Sequence, residues 1–249
     1  MDSTLRVGSL FAGIGGFDLG LERAGMKTLW QVEPDFFCRS VLRRRFPDAV
    51  QHRDVRYLRG HELAPIDLLC GGFPCQPVAD VGKRLAQDDP RWLWPHFARL
   101  IGILRPRWVV IENVRGLRTR GLDVVLRDLA DLGFDAEWDL LPAAAFGAPH
   151  IRQRFFVVAY PNGHGLEGGL STRPEGRPAL QRRPLVFAES PGGEWPVEPD
   201  VARVADGVPS RVDRVRALGN AVVPQVAEWI GRRIVEAERL HAPYQAPSR

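Results

Sequence analysis

Residues 5–25 read LRVGSLFAGIGGFDLGLERAG. The stretch opens as an apolar run, Leu5–Phe11, turns through Gly13, Gly15 and Gly16, and continues as an amphipathic segment, Phe17–Ala24. That order predicts a strand, a sharp turn and a helix, with Gly25 where a left-handed C-terminal cap belongs. The loop Leu10-Phe11-Ala12-Gly13-Ile14-Gly15-Gly16-Phe17 lets backbone approach a ligand closely, because glycine carries no Cβ. Its spacing is not the G-x-G-x-x-G fingerprint, which argues against a dinucleotide-dependent oxidoreductase. It points to a small cofactor at a helix N-terminus, although a plain strand–helix turn has the same composition.

Working outward, further apolar runs occur at Thr28–Val32, Ile66–Cys70, Trp108–Ile111 and Phe155–Tyr160, with a short strand near Ala49–His52. Helix-like segments lie between them at Asp35–Phe46, Trp92–Leu104 and Leu122–Leu132, the last closed by Gly133. Strands alternating with helices predict an α/β fold: a mainly parallel, twisted sheet with helices on both faces. Ligands bind such sheets at the carboxyl ends of the strands.

The loops at those ends hold chemistry-bearing residues. Glu33 closes the second run and Asp54 follows the short third strand. Behind a glycine-rich loop, a carboxylate after the second strand can accept ribose hydroxyls, and one after the third an adenine amino group. Gly71-Gly72-Phe73-Pro74-Cys75-Gln76-Pro77 follows Ile66–Cys70 and presents Cys75 in a rigid turn, where its thiolate could act as a nucleophile. Cys38 and Cys70 sit in helical or apolar patterns and read as core. Glu112 ends the Trp108–Ile111 run, where burial would keep its carboxyl protonated and able to donate. His150, Arg152 and Arg154 are spaced two apart, which on an extended strand puts all three on one face. Glu112 and the arginines also fit a structural ion-pair network.

With 249 residues, 45% of them hydrophobic, the chain can bury a core as one domain plus a small insertion. No run of 18 apolar residues or secretory signal is visible, and a cytoplasmic setting is expected. Three cysteines at no zinc spacing exclude a disulfide scaffold or structural zinc site, and no metal is expected. Of 34 basic residues only Lys27 and Lys83 are lysines. Arginine suits bidentate phosphate and base contacts, and GC-rich coding accounts for the same bias. Residues 161–193 contain seven Gly and five Pro, too many for long regular elements. Arg173, Arg177, Arg182 and Arg183 cluster there, as a DNA-contacting module or a solvated linker. Order returns from Arg216, and Val226–Ala237 reads as a closing helix. The expected division is 1–160 for the catalytic and cofactor-binding domain, 161–211 for the irregular region, and 212–249 for a C-terminal return.

Taken together, these motifs resemble the DNA (cytosine-5) methyltransferase family over about 1–160 and 212–240. The resemblance implies a Rossmann-like S-adenosylmethionine-dependent methyltransferase fold. Phe11, Ala12, Gly13, Ile14, Gly15 and Gly16 match the cofactor loop; Glu33 with Pro34 and Asp54 with Val55 fall where that family binds ribose and adenine. Pro74-Cys75-Gln76 resembles the nucleophile motif, Glu112-Asn113-Val114 the second catalytic motif, and Arg152-x-Arg154 the paired arginines. Gly219-Asn220-Ala221-Val222-Val223-Pro224 resembles the last motif, which packs back on the cofactor site, so Pro74, Asn220, Ala221 and Val222 join the cofactor set. The implied catalytic residues are Cys75, Glu112, Arg152 and Arg154. The cofactor is S-adenosylmethionine, leaving as S-adenosylhomocysteine.

The implied partners are double-stranded DNA, touched by Gln76, Lys83, Arg84, Arg91, Arg173, Arg177, Arg182 and Arg183, and a cognate restriction endonuclease. A monomer is expected. Three departures stand out. After the nucleophile, where the family often carries a Ser in a loop that closes on DNA, this chain reads Ala79-Asp80-Val81-Gly82-Lys83-Arg84, and Asp80 would weaken a phosphate contact. His150 replaces the Gln that usually precedes the arginine pair. The roughly fifty residues after Tyr160 leave room only for a reduced target recognition region. An RNA (tRNA) cytosine methyltransferase on the same scaffold and a catalytically silent DNA-binding relative are the alternatives.

Overall fold

The computed structural model describes residues 4–74, 89–148, 150–162 and 211–241. Five strands run parallel: β1 (Arg6–Leu10), β2 (Lys27–Val32), β3 (Val50–His52), β4 (Leu68–Gly71) and β5 (Trp108–Asn113). β6 (Phe134–Pro142) and β7 (Gln153–Pro161) add an antiparallel pair, giving the order β3-β2-β1-β4-β5-β7-β6. Chain order reverses between β1 and β4, so the loops leaving these neighbours diverge and open a crevice. The glycine loop after β1 and the Gly72–Pro74 turn after β4 both start there.

The central strands are buried on both faces and therefore read as continuous apolar runs. One face of the sheet, through Leu10, Leu69, Val109, Ile111 and Val157, packs on α3 (Trp94–Leu104) and α4 (Leu122–Asp131). Alternate residues Val7, Leu68, Cys70, Val110 and Phe156 face α1 (Gly16–Arg23) and α6 (Pro224–His241). Each such fully buried side chain contributes about 1.5–3 kcal/mol. α2 (Phe36–Arg45) is capped by Asp35, whose carboxylate accepts from the Cys38 N–H at 2.9 Å, and α5 (Arg211–Asn220) leads into α6. No described helix is long and apolar enough to cross a membrane.

The C-terminal return is held by backbone proximity. A Cβ on Gly20 would lie 2.3 Å from the Pro224 carbonyl oxygen and 2.6 Å from the Ala227 Cβ, so only glycine lets α6 seat this closely on α1. A buried carboxylate anchors α1 from below. Asp18 accepts from Ser9 Oγ at 3.2 Å and Gln31 Nε2 at 2.9 Å, and burial pushes its pKa up to about 6.

The expected strands and helices are present, with Gly25 and Gly133 left-handed at φ 90° and 83°. Three features differ. β6 was not expected from sequence, although residues 134–140 alternate: Phe134, Ala136, Trp138 and Leu140 join the first core while acids occupy the intervening positions. Acids on every second residue are what an edge strand tolerates. Helix α5 already covers Arg211–Asn220, ahead of the expected Arg216. The third concerns His150, Arg152 and Arg154, which do not share one strand face. β7 starts only at Gln153, and Arg152 is left-handed at φ 23°, a turn that breaks the two-residue alternation.

Candidate active site

A cavity of about 330 Å3 lies along the carboxyl ends of β1, β2, β4 and β5. Its first end is mostly backbone. Phe11, Ala12, Gly13 and Gly16 line it, with Gly13 at φ 56° and open space where a Cβ would project. Glu33 braces this loop: its two oxygens accept the Gly13 N–H at 2.8 Å and the Asp35 N–H at 2.9 Å. Each oxygen keeps a further lone pair. Burial raises the Glu33 pKa, partly offset by those two N–H groups. The buried Arg39 guanidinium reaches up from α2 and donates to the Glu33 carbonyl at 2.9 Å and the Pro34 carbonyl at 2.5 Å, fixing the corner after β2. Opposite, the end of α5 and the residues after it close the wall through Asn220, Ala221 and Val222. A Cβ on Gly16 would lie 2.2 Å from the Val222 carbonyl oxygen, so loop and wall meet backbone to backbone.

The second end is built from charged side chains. Glu112, 8% exposed, lies 3.1 Å from Arg154 Nε. Burial pushes its pKa up to about 7; the charges of Arg154 and Arg152 act against this. A carboxyl group here exchanges between donor and acceptor near neutral pH, as general acid–base work requires. Gly72 leaves it room, since a Cβ there would come within 2.6 Å of Glu112 Oε2. Asn113 donates from Nδ2 to the Phe73 carbonyl at 3.1 Å and accepts the Val114 N–H at 2.9 Å. This ties β5 to the turn that leads through Pro74 into Cys75. Arg91 also lines the cavity and is held by Asp89 at 2.6 Å, an ion pair that lowers the Asp89 pKa to about 2.

Of the residues singled out from sequence, the cavity gathers Phe11, Ala12, Gly13, Gly16, Glu33, Pro34, Pro74, Arg91, Glu112, Arg154, Asn220, Ala221 and Val222. Gly15, at φ 86°, and Ile14 complete the loop without lining the cavity; Val55, buried in the core after β3, does not line it either. Asp54 is not among the lining residues either: its carboxylate caps the short 3-10 helix Val55–Tyr57 and pairs with Arg56 at 2.6 Å. Arg152 donates to the carbonyls of Gly219 at 2.8 Å and Ala221 at 2.6 Å, away from the lining. Cys75, Gln76, Lys83, Arg84, Arg173, Arg177, Arg182 and Arg183 lie outside the described residues.

Sequence reading missed Asp35, Cys38, Asp213 and Arg216, which also line the cavity. The helix-cap spacing Asp35-x-x-Cys38 was a visible signal; Asp213 and Arg216 arrive from far along the chain and carried none. Burial, followed by the charges of Glu33 and Asp35, pushes the Cys38 thiol up to about 12, and burial raises Cys70 well above its ordinary value. Neither is a thiolate at neutral pH.

A model of C-5 cytosine-specific DNA methylases matches residues 5–184. The chain belongs to that family. Among methylases of known name, Type II methyltransferase M.NaeI of Lentzea aerocolonigenes is 41% identical over 167 residues, covering 64% of this chain and 40% of that protein. Type II methyltransferase M.NgoMIV of Neisseria gonorrhoeae is 39% identical over 156 residues, covering 61% and 50%. The chain thus spans half or less of the length of these relatives. Among solved structures, a prophage-encoded E. coli protein superimposes with a TM-score of 0.54 at 29% identity, over 64% of this chain and 47% of that one. Dnmt2 methyltransferase of S. pombe shares the fold at a TM-score of 0.55 and 22% identity, over 64% and 51%.

Proposed function

We propose that this methylase transfers a methyl group to C5 of cytosine in double-stranded DNA. The observation that carries the reading is Glu112. A buried carboxyl group with a pKa of about 7, paired to Arg154, shares one cavity with a glycine loop braced by Glu33. The first end fits an adenosyl group: about 330 Å3 is within the range of small-molecule sites, and open space lies beside Gly13. Phe11–Gly13, Glu33, Pro34 and Asn220–Val222 would hold S-adenosylmethionine. When bound, the cofactor supplies an electrophilic methyl group on its sulfonium.

The protein's own part follows from the chemistry of cytosine, whose C5 is a poor nucleophile within an aromatic ring. Cys75 thiolate adds to C6, breaking aromaticity and making C5 enamine-like. Protonated Glu112 donates to N3, relieving the charge that develops there. Arg154 holds both the base carbonyl and Glu112. After C5 gains the methyl group, a solvent water takes the C5 proton, the electrons of that C–H bond restore the C5–C6 double bond, the Cys75 thiolate leaves C6, and Glu112 takes back the N3 proton. The reacting base must leave the duplex stack, at a cost of a few kcal/mol. The loop after Cys75, with Gln76, Lys83, Arg84 and Arg91, would hold the opened duplex. Residues 161–211 would act as a reduced target recognition region between the catalytic part (1–160) and its C-terminal return (212–249). Arg173, Arg177, Arg182 and Arg183 there would make salt-sensitive phosphate contacts. The named relatives are Type II methyltransferases, which supports pairing with a restriction endonuclease of the same target.

The test is transfer of label from S-adenosylmethionine to unmethylated genomic DNA, beside tRNA, for wild type and Cys75→Ala. Label entering DNA as 5-methylcytosine with wild type alone is the expected result. Label in tRNA alone would move the substrate to RNA, and label in neither, with the cofactor still bound, would point to a missing partner, a narrow target or a silent relative.

A further inference from the structure

Arg152 and Arg154 are two residues apart and serve different walls of the cavity. Arg154 turns to Glu112. Arg152 turns away, and its guanidinium fork takes two carbonyls where α5 ends in the 219–222 turn, Gly219 of the helix's last turn at 2.8 Å and Ala221 just beyond it at 2.6 Å. That turn carries Asn220, Ala221 and Val222 into the cavity wall. From its other side, the Val222 carbonyl oxygen rests where a Gly16 Cβ would be, 2.2 Å away. The turn is therefore clamped between a planar, two-pronged donor and the backbone of the glycine loop.

The clamp is held at some expense. Arg152 has φ 23°, a conformation that costs a non-glycine residue about 1–2 kcal/mol. Burial and the neighbouring Arg154 charge both lower its pKa, so its surroundings oppose a cation there. Such a residue persists only where its contacts over-determine it. Two charge-assisted hydrogen bonds to one turn, in the fixed geometry of a guanidinium, are those contacts.

We propose that Arg152 is a positioning residue for the cofactor and not a base contact: it bolts the 219–222 turn against the glycine loop and thereby completes the cofactor wall. The inference rests on the methyltransferase reading above. Its two bonds join the residue that leads into β7 to the C-terminal return, so the arginine pair divides its labour between substrate and cofactor.

The experiment is calorimetric titration of the full chain with S-adenosylhomocysteine, together with steady-state kinetics, for wild type, Arg152→Ala, Arg152→Lys and Arg154→Ala. For Arg152→Ala, cofactor affinity falls and cofactor KM rises by about tenfold or more, equivalent to about 1.4 kcal/mol. Its kcat at saturating cofactor and its DNA affinity stay within about threefold. Arg152→Lys recovers part of the loss, because one ammonium cannot span both carbonyls. Arg154→Ala does the reverse, losing about a hundredfold in kcat with cofactor affinity held. If Arg152→Ala folds poorly, Gly16→Ala presses on the same turn from the opposite side and shows the same cofactor defect. An Arg152→Ala protein that binds S-adenosylhomocysteine like wild type, or loses kcat with cofactor KM unchanged, overturns the inference alone. A wild-type chain that binds no S-adenosylhomocysteine overturns the methyltransferase reading and this inference with it.

Discussion

The two ends of the cavity solve different problems with different materials. The glycine-loop end uses backbone: left-handed Gly13 and Gly15, N–H groups tied to Glu33, and carbonyls of the 219–222 turn. The far end uses ionisable side chains taken out of water, Glu112 and Arg154, with Gly72 clearing space. Shape and hydrogen bonding suffice to hold a ligand. Reaction needs a group whose protonation changes near working pH, and burial strong enough to outweigh the neighbouring arginines makes Glu112 behave that way. The first end should therefore govern affinity and the second turnover.

The sharpest way to separate the ends is Cys75→Ala. Methyl transfer should fall by about four orders of magnitude or more, while S-adenosylhomocysteine affinity stays within about twofold. Full activity in a labelled-methyl assay would remove the nucleophile from the reading.

Next comes Glu112→Gln, expected to lower kcat by about a hundredfold or more with cofactor affinity unchanged. Its pH dependence tests burial directly. In the folded protein Glu112 has a pKa of about 7, against an ordinary 4.5, so the native state keeps a proton that the unfolded chain releases. The unfolded state binds fewer protons across this window, so stability from this group declines as pH rises from 4.5 to about 7, by about 3 kcal/mol in total. Urea midpoints at pH 5 and pH 8 should lose most of this slope in Glu112→Gln. An unchanged slope would mean the group does not titrate there.

On the other side of the comparison, Glu33→Ala leaves the half-buried Gly13 and Asp35 N–H groups without their acceptor. It should weaken cofactor binding by about 1–3 kcal/mol with kcat at saturation nearly preserved; a kcat loss at constant KM would merge the two ends. The smallest effect belongs to Arg56→Ala. Its pair with Asp54 is half exposed, so the melting temperature should move by no more than about 2 °C. A larger shift would mean that the pair organises the neighbouring 3-10 helix.

The parallel half of the molecule was legible from its alternation of apolar runs and amphipathic stretches, because strands buried on both faces leave a continuous signal. β6 was not: it is an edge strand carrying Asp135, Glu137 and Asp139 between its core positions, and acids at every second residue also suit a loop. Glu33, Glu112 and the glycine loop could be named in advance, since each directly follows an apolar run. Arg152 was misjudged as sharing a face with Arg154, because two-residue spacing assumes an extended strand and a single left-handed residue cancels it. Asp213 and Arg216 gave no local sign at all, being brought to the cavity by a helix that starts about fifty residues after β7 ends.

What the sequence by itself determined is the kind of fold and the identity of the chemical groups. Hydrophobic periodicity is a property of neighbours along the chain, as is a glycine-rich or Pro-Cys-Gln turn. Only the tertiary structure decided what those groups are worth. A carboxyl with a pKa of about 7 needs a closed surrounding assembled from β4, β5 and β7. The wall opposite the glycine loop needs a segment two hundred residues away, held by Arg152 and admitted by the missing Cβ of Gly16. Burial, electrostatic pairing and backbone contact are distances in space, and chain order does not encode them until the sheet has closed.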